Sequence, residues 1–214
     1  MTPRLRTVTS GFIANPNSPS GTCFDLPQLR AIIERANCPI VIDEAYSDYA
    51  GQSAASLVHE YPNLLVSRTL SKSYALAGLR FGYVVASEEI TRHLHTLRDS
   101  YNCDAISIAL ATAAVGDQDW LKDNVQRVIS ERQRMESQLA ALGMTVQPSQ
   151  ANFVWCQHPQ QMEREIYQEL KTRQILVRFM DYGAPWIGLR ITVGTPQQNQ
   201  VLLEQLEQIL KSYQ

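Results

Sequence analysis

The sequence lacks the features that would place the protein at a membrane, in an oxidising compartment or on nucleic acid. Its four cysteines, Cys23, Cys38, Cys103 and Cys156, form no Cys-x-x-Cys pair and have no metal-ligand spacing. No apolar run approaches the ~20 residues that span a membrane, and no signal-peptide segment follows the polar residues 1–9. The net charge of −2 gives no general attraction to nucleic acid or anionic lipid. We expect a cytoplasmic protein with reduced cysteines and without metal, nucleic-acid or membrane partners.

The composition is that of an ordinary globular protein. The 214 residues are 44% hydrophobic and 19% charged, which is enough apolar material for one large or two small domains. The sequence contains no internal repeat and no low-complexity segment. Because the net charge is small, any affinity for phosphate has to come from individual arginines.

Short apolar runs alternate with helical patterns in the first part of the chain. A helix is predicted to begin after Asp25 as its N-cap, and strands are predicted at residues 7–14, 39–42, 64–66 and 83–86. Short, uniformly apolar runs are typical of strands buried on both faces. The pattern predicts an α/β fold with a mostly parallel sheet and flanking helices, in which ligands bind at the carboxyl ends of the strands.

The second part of the chain has a different pattern. Residues 87–142 have helical periodicity, with Ile90, Leu94 and Leu97 spaced for one face, and a long helix is predicted to end at Gly143. Shorter elements follow, with strands near residues 145, 153–155, 175–177 and 189–193 and a final helix at 201–213. We therefore expect two domains: residues 1–119, with the sheet and a connecting helix, and residues 120–214, a small α+β domain.

The residues with the clearest chemistry lie where the predicted strands end. Lys72 follows Ser71 after one strand, Asp43 follows another with Tyr46 three residues further on, and Arg80 comes eight residues after the lysine. These are the groups that hold pyridoxal phosphate (PLP). The amine binds its aldehyde, the acid pairs with its pyridine nitrogen, and hydroxyl and guanidinium groups bind its phosphate. The combination predicts a PLP site.

Each of these residues alone has a simpler interpretation. A single lysine is by default a solvated surface residue, and a carboxylate at a strand end is often a turn or helix cap. The polar loop between two apolar strands favours a functional role for Lys72, because a side chain there can reach a cleft. The order of all five groups along the chain is what makes the PLP interpretation strong.

Four motifs stand in order along the chain. They are Asn15-Pro16-Asn17-Ser18-Pro19-Ser20-Gly21, Asp43-Glu44-Ala45-Tyr46, Ser71-Lys72 with Gly78-Leu79-Arg80, and Leu189-Arg190-Ile191-Thr192-Val193-Gly194-Thr195. Together they resemble the fold-type I aminotransferases, and within them the histidinol-phosphate aminotransferase family. The resemblance covers essentially the whole chain but only the C-terminal portion of the family's longer sequences. It implies the C-terminal half of a PLP-binding large domain, followed by the small domain.

The resemblance also implies an activity. Members of this family transfer an amino group between histidinol phosphate and 2-oxoglutarate in histidine biosynthesis, giving imidazole acetol phosphate and glutamate, and they work as homodimers. By this resemblance Lys72 would bind the cofactor and move the proton at the substrate α-carbon. Asp43 would pair with the ring nitrogen, Tyr46 would contact the ring oxygen, and Ser71 and Arg80 would hold the phosphate.

Further residues are assigned to the substrate by the same resemblance. Arg190 would bind the α-carboxylate, Arg178 the substrate phosphate, and Asn152 lies in a loop similar to a substrate-proximal loop of the family. The usual Asn-Pro-Thr-Gly is here Ser18-Pro19-Ser20-Gly21, so either Asn17 or Ser18 would bind the ring oxygen. Without the resemblance, Arg178 and Arg190 would be interpreted as surface charges at strand ends.

Other readings of the same residues remain open. A related aromatic amino acid aminotransferase or a phosphothreonine decarboxylase shares the lysine and the aspartate, and a truncated relative could serve as a non-catalytic binding or assembly module. The first half of the family's large domain, with its phosphate-binding loop, has no counterpart here. We therefore expect exposed strand edges and apolar surface, weak cofactor binding, and little transamination from these 214 residues alone.

Overall fold

The computed structural model describes residues 10–213, which form two compact units. The first unit contains the described residues up to Pro16 together with Phe24–Leu121. The second contains Asn17–Cys23 and the chain from Lys122 onward. The chain therefore passes from one unit to the other three times.

The first unit is built on a four-stranded sheet. Its strands are β1 (Gly11–Ala14), β2 (Ile40–Asp43), β3 (Leu64–Thr69) and β4 (Gly82–Ala86), in that spatial order. β1, β2 and β3 run parallel, and β4 pairs antiparallel with β3. The prediction of a mostly parallel sheet is confirmed, while residues 7–9 of the predicted first strand lie outside the described part of the chain.

The helices of the first unit are α1 (Leu26–Arg35), α2 (Glu88–Leu97) and α3 (Ala105–Gly116). α1 begins at the predicted cap, where Asp25 and Gln28 each accept a hydrogen bond from the other's backbone N–H. It packs on one face of the sheet, in a core of buried residues that comprises Leu29, Ile33, Ile40, Ile42, Leu64 and Val66. α2 forms where predicted, but Leu94 and Leu97 on its predicted apolar face are exposed.

The second unit is an antiparallel sheet with three helices. Its elements are α4 (Gln118–Ala141, whose first turn belongs to the first unit), β5 (Thr145–Gln147), β6 (Phe153–Gln157), α5 (Glu163–Thr172), β7 (Arg178–Asp181), β8 (Ile187–Thr192) and α6 (Pro196–Ser212). The sheet order is β5-β6-β8-β7. All neighbouring strands in it are antiparallel.

The strand predicted at residues 175–177 is misplaced, because the strand β7 begins only at Arg178. Ile175 and Val177 pack against the core while Leu176 is exposed, which reproduces the alternation of a strand. However, the backbone N–H of Ile175 bonds to the carbonyl of Leu170 in α5, so the segment closes the helix instead of joining the sheet.

One face of the second sheet forms the core and the other does not. Buried residues of β6 and β8 pack with α4, α5 and α6, and they include Val154, Cys156, Leu189 and Ile191. The alternate residues of the same strands, such as Trp155 and Arg190, point to the opposite face because strand side chains alternate. Among residues 10–213, no helix is long and apolar enough to cross a membrane.

Candidate active site

Lys72 lies in the loop that joins β3 to β4, at the carboxyl end of the parallel strands. Its side chain is half-buried, and its Nζ lies 5.4 Å from the centre of the Tyr46 ring. Ser71 precedes it, in a turn where the Ser71 N–H donates to Thr69 Oγ1 at 3.1 Å. The structure thus brings together Lys72 and Tyr46, which the sequence places 26 residues apart.

The loop around Lys72 contains two residues in a left-handed backbone conformation. Ala75 has φ +54° and Arg80 has φ +56°, and neither is glycine. Such conformations cost about 1 kcal/mol or more each and are often retained at functional sites. The exposed Arg80 donates from Nη1 to the carbonyl of Ala77 at 3.0 Å.

Asp43 is the last residue of β2. In register it faces Ala14 of β1 and Ser67 of β3, so it lies at the carboxyl edge of all three parallel strands. Its carboxylate is exposed and accepts a hydrogen bond from the N–H of Ala45 at 3.0 Å. Tyr46 follows in the same turn. The candidate acid is therefore accessible, and it forms no ion pair with any residue in the described range 10–213.

Sequence reasoning missed a buried acid directly after Asp43. Glu44 as a whole residue is only 2% exposed, and its side chain accepts hydrogen bonds from the Ser53 hydroxyl at 2.7 Å and from the N–H of Ala54. Its counter-charge is Arg68, whose Nη1 lies 3.5 Å from Glu44 Oε2. A buried carboxylate needs such partners, since an unpaired charge in the interior is strongly unfavourable.

The same arginine connects the Tyr46 turn to the lysine loop. Arg68 Nη1 lies 3.2 Å from Asp48 Oδ1 and donates to the Ser47 hydroxyl. The buried Ser73 hydroxyl in turn donates to Asp48 Oδ2. Ser73 is the neighbour of Lys72, so Glu44, Arg68 and Asp48 together fix the positions of both segments that carry candidate cofactor ligands. No motif in the sequence indicated this network.

Arg178 and Arg190 lie directly opposite each other in the second unit. They are register partners on β7 and β8, so they share one face of the sheet. Like charges in this arrangement are unfavourable by themselves. Within the described chain no carboxylate lies at ion-pair distance from either guanidinium. The pair is therefore a candidate anion-binding surface.

Arg190 is held in a defined position. Its Nη1 donates to Ser18 Oγ at 2.9 Å, and its Cζ lies 5.2 Å from the centre of the Phe153 ring. Its Nε is buried and has no hydrogen-bond partner among residues 10–213. Arg178, by contrast, is exposed at the start of β7.

The loop Asn17–Cys23 is closed by its own hydrogen bonds. The N–H of Asn17 donates to the carbonyl of Thr22, and the Asn17 amide donates to Ser20 Oγ at 2.7 Å. Gly21 has φ +74°, and a Cβ there would lie 2.3 Å from Ser149 Oγ, so only glycine fits. Asn17 is thus engaged within the loop, whereas Ser18 faces Arg190 and keeps a hydroxyl proton to donate.

Asn152 lies in the turn before β6, half-buried, with its backbone carbonyl accepting from the N–H of Val193 at 2.9 Å. Its side chain makes no hydrogen bond within residues 10–213. Sequence reasoning missed Arg132, which is buried and donates from Nη1 to the carbonyl of the preceding Ala151 at 2.8 Å. Burial lowers the pKa of Arg132 from its ordinary value. Arg132 therefore fixes the backbone that carries Asn152.

An open cleft of about 730 Å³ extends from Ser18 along the second unit. Trp155 forms the floor of the cleft. Its indole packs so closely on Gly188 that a Cβ at residue 188 would lie 2.4 Å from Trp155 Cζ2. Tyr182 and Trp186, from the turn between β7 and β8, are exposed at its side. No motif in the sequence indicates a role for these aromatic residues.

Comparison with protein families and known proteins identifies relatives of this chain. The family model described as aminotransferase class I and II matches residues 10–206. The histidinol-phosphate aminotransferase of Rhodopirellula baltica is 50% identical over 200 residues, which are 94% of this chain and 55% of that protein. Histidinol-phosphate aminotransferase 1 of a Nostoc species is 44% identical, over 94% of this chain and 57% of that protein. The chain thus spans little more than half the length of these relatives.

Solved structures show the same fold. The histidinol-phosphate aminotransferase of Clostridium acetobutylicum aligns with a TM-score of 0.90 at 23% identity, over 96% of this chain and 65% of that one. The enzyme of the same name from Sinorhizobium meliloti, solved in complex with pyridoxal-5'-phosphate, aligns with a TM-score of 0.88 at 26% identity. That alignment covers 96% of this chain and 58% of the Sinorhizobium chain.

Proposed function

Because the chain belongs to the class I and II aminotransferases, we propose that it carries the lysine-bearing part of a PLP-dependent aminotransferase that acts on histidinol phosphate and 2-oxoglutarate. The observation that carries the proposal is the position of Lys72, beside Tyr46 and at the same sheet edge as Asp43. The histidinol-phosphate aminotransferases at 44% and 50% identity support the choice of substrate.

The residues of the first unit suit PLP. Lys72 supplies the amine for the aldehyde, the accessible Asp43 supplies the anion for the pyridine nitrogen, and Tyr46 supplies a hydroxyl for the ring oxygen. Ser71 and Arg80 supply a hydroxyl and a guanidinium for the phosphate. When bound, the cofactor withdraws electrons from the α-carbon of the substrate. Lys72 Nζ would hold and move the proton that leaves this carbon.

The residues of the second unit suit the substrate. Arg190, held by Ser18, would bind the α-carboxylate, and the exposed Arg178 would bind the substrate phosphate. Of the two candidates for the ring-oxygen hydrogen bond, Ser18 is the better, because the Asn17 amide already donates to Ser20. Asn152 would complete this group. The aromatic side chains of Tyr182 and Trp186 suit a planar imidazole ring.

In domain terms, residues up to 119 would form the C-terminal half of a PLP-binding large domain, and residues 120–214 the small domain. The active protein would be a cytoplasmic homodimer that uses an amino donor and a 2-oxo acid acceptor. Within residues 10–213 no disulfide bond joins any of the four cysteines.

The cofactor assignment is tested by reduction with borohydride in the presence of PLP, followed by peptide mapping. We expect the purified chain to give a visible absorption band and, after reduction, an adduct on Lys72. Lys72→Ala should lose both, whereas Lys122→Ala, a change at an exposed lysine outside the site, should keep them.

Two outcomes would contradict the assignment. One is a band that survives in Lys72→Ala, and the other is an adduct spread over Lys122, Lys171 and Lys211 without preference for Lys72.

The substrate is tested by formation of glutamate from histidinol phosphate and 2-oxoglutarate. Histidinol phosphate should give at least about tenfold faster turnover than an aromatic amino acid, which corresponds to 1.4 kcal/mol in transition-state binding.

A further inference from the structure

The lysine loop, residues 70–76, is closed by its own backbone. Its two ends are joined at the buried Leu70, whose carbonyl accepts a hydrogen bond from the N–H of Leu76 at 3.0 Å. The carbonyl of Lys72 accepts from the N–H of Ala75, also at 3.0 Å, and Ala75 has the left-handed backbone that such a sharp turn needs. These bonds define the shape of the loop, but they do not connect it to the turn that carries Tyr46.

A separate contact connects the lysine loop to the tyrosine turn, residues 43–50. The hydroxyl of Ser73, a residue that is only 1% exposed, donates to Asp48 Oδ2. The accepting carboxylate is itself held, because Asp48 Oδ1 lies 3.2 Å from Nη1 of Arg68 on β3. A hydrogen bond to an ionised acceptor is stronger than one between neutral groups, and no water replaces it at a buried hydroxyl. Asp48 therefore fastens the lysine loop to the tyrosine turn.

The residue next to Ser73 is Lys72, and its amine faces the same turn. Lys72 Nζ lies 5.4 Å from the centre of the Tyr46 ring, and Tyr46 comes two residues before Asp48. The lysine side chain is a flexible stem of four carbons, so its amine stays in one place only when the backbone at its base is fixed. The bond between Ser73 and Asp48 fixes that base.

The buried Glu44 belongs to a different part of the same network. Its carboxylate accepts from the Ser53 hydroxyl at 2.7 Å and lies 3.5 Å from Arg68 Nη1. Ser53 in turn caps the short 3-10 helix Ala54–Leu57, which packs in the core of the first unit. None of these contacts involves residues 70–76. The Glu44 contacts thus stabilise the unit, whereas the Asp48 contact acts on the lysine.

We propose that Asp48 is a positioning residue for Lys72 and that it acts through the hydroxyl of Ser73. It holds the amine where a docked aldehyde meets it. It thereby raises the rate at which Nζ bonds to the aldehyde carbon while the aldehyde oxygen leaves as water. Reaction between bound groups depends steeply on such placement. This inference rests on the function proposed above for the identity of the docked aldehyde, which is PLP.

The test measures how fast PLP labels Lys72 in the full chain, by borohydride reduction and peptide mapping. Ser73→Ala and Asp48→Ala should each lower this rate at least about tenfold. The double variant should be no more than about twofold slower than either, because both changes break the same contact. Ser73→Thr keeps the hydroxyl and should stay closer to the unchanged chain than Ser73→Ala does. Ser53→Ala is the matched control, since it removes another hydroxyl bound to a carboxylate of this network. It should lower the free energy of unfolding but leave the labelling rate unchanged.

Acetaldehyde separates the placement of the amine from its intrinsic reactivity. This small aldehyde reacts on collision and needs no fixed amine, so it should label Lys72 at similar rates in the unchanged chain and in Ser73→Ala. Reductive methylation with isotope-labelled formaldehyde gives a readout that does not use the cofactor. The methyl signals of Lys72 in the nuclear magnetic resonance spectrum should be shifted by the Tyr46 ring. That shift should be lost in Ser73→Ala and kept in Ser53→Ala.

Three results would overturn the positioning role. They are equal PLP labelling of Lys72 in Ser73→Ala and the unchanged chain, an equal loss in Ser53→Ala, and an equal loss with acetaldehyde. If PLP shows no preference for Lys72 in the unchanged chain, the cofactor assignment fails instead. The methyl signals then decide on Asp48, because a ring-induced shift that persists in Ser73→Ala would show that the amine does not depend on this contact.

Discussion

Replacement of Arg68 by methionine should destabilise the first unit strongly, because Arg68 is the counter-charge of the buried Glu44. The Glu44 side chain is 1% exposed and that of Arg68 is 20% exposed. Methionine keeps much of the apolar length of the arginine but removes the charge. Glu44 would then keep only its hydrogen bonds from Ser53 and Ala54.

The magnitude follows from the burial of the pair. Removing one partner of a buried ion pair costs about 3–5 kcal/mol, because the other charge is left uncompensated. Arg68 is partly exposed, so water relieves some of this cost, and we expect a value near the lower limit, about 3 kcal/mol. The loss of the contacts to Asp48 and the Ser47 hydroxyl adds to it, and with them the connection to Ser73 beside Lys72 is weakened.

The assay is urea unfolding followed by far-ultraviolet circular dichroism. The midpoint for Arg68→Met should fall by about 1–3 M, given slopes of about 1–3 kcal/mol per molar urea. Arg92→Met is the control, because the ion pair of Arg92 with Glu88 lies on an exposed helix surface and contributes less than about 1 kcal/mol. A free energy of unfolding for Arg68→Met within about 1 kcal/mol of that of Arg92→Met would refute the reasoning.

Two further predictions concern the second unit. Gly188→Ala should destabilise it by about 1–3 kcal/mol, because the new Cβ would lie 2.4 Å from Trp155 Cζ2 and force the indole to move; urea unfolding followed by tryptophan fluorescence measures this. Burial raises the pKa of the Cys156 thiol to about 12. The thiol therefore stays protonated in the folded protein at neutral and mildly alkaline pH, and it should not react with a disulfide reagent until the protein unfolds.

Each of these predictions has an internal comparison. Gly116→Ala adds the same methyl group where nothing lies within 4 Å, and it should leave stability unchanged or slightly raised. Equal losses in both glycine variants would show that the Trp155 contact is not the cause. Cys23, Cys38 and Cys103 are only half-buried and should react in the folded state. Modification of Cys156 at the same rate as these three would contradict its burial.

The sequence predicted the elements of the first unit well because their signals are local. The cap at Asp25, the apolar runs of β2 and β3, and the polar loop at Lys72 are each readable within a few residues. The prediction of a strand at residues 175–177 was wrong for a different reason. A short apolar segment that closes a helix has the same sequence pattern as a short strand. Only the hydrogen bonds separate the two, and they depend on neighbours elsewhere in the chain.

The candidate PLP ligands could also be proposed from the sequence, since PLP chemistry requires particular residue types in a particular order. The residues that hold these candidate ligands in place could not be predicted from the sequence. Arg68 reaches Asp48 and Glu44 from 20 and 24 positions away, and Ser73 reaches Asp48 from 25. Arg132 looks like any helical surface arginine in the sequence. Its burial depends on how α4 packs, which no local pattern reveals.

The loop Asn17–Cys23 has a consequence for how this family can recombine. Seven residues near the start of the described chain belong to the same unit as everything after Leu121, and through Ser18 and Gly21 they contact Arg190 and Ser149. A chimera made by a single crossover near residue 121 would therefore inherit Arg190 from one parent and its serine partner from the other. Exchange of this unit between relatives therefore requires the transfer of two separate segments, Asn17–Cys23 and the chain from Lys122 onward. A gene that acquired only the segment from Lys122 onward would carry an Arg190 without the Ser18 partner of its own parent.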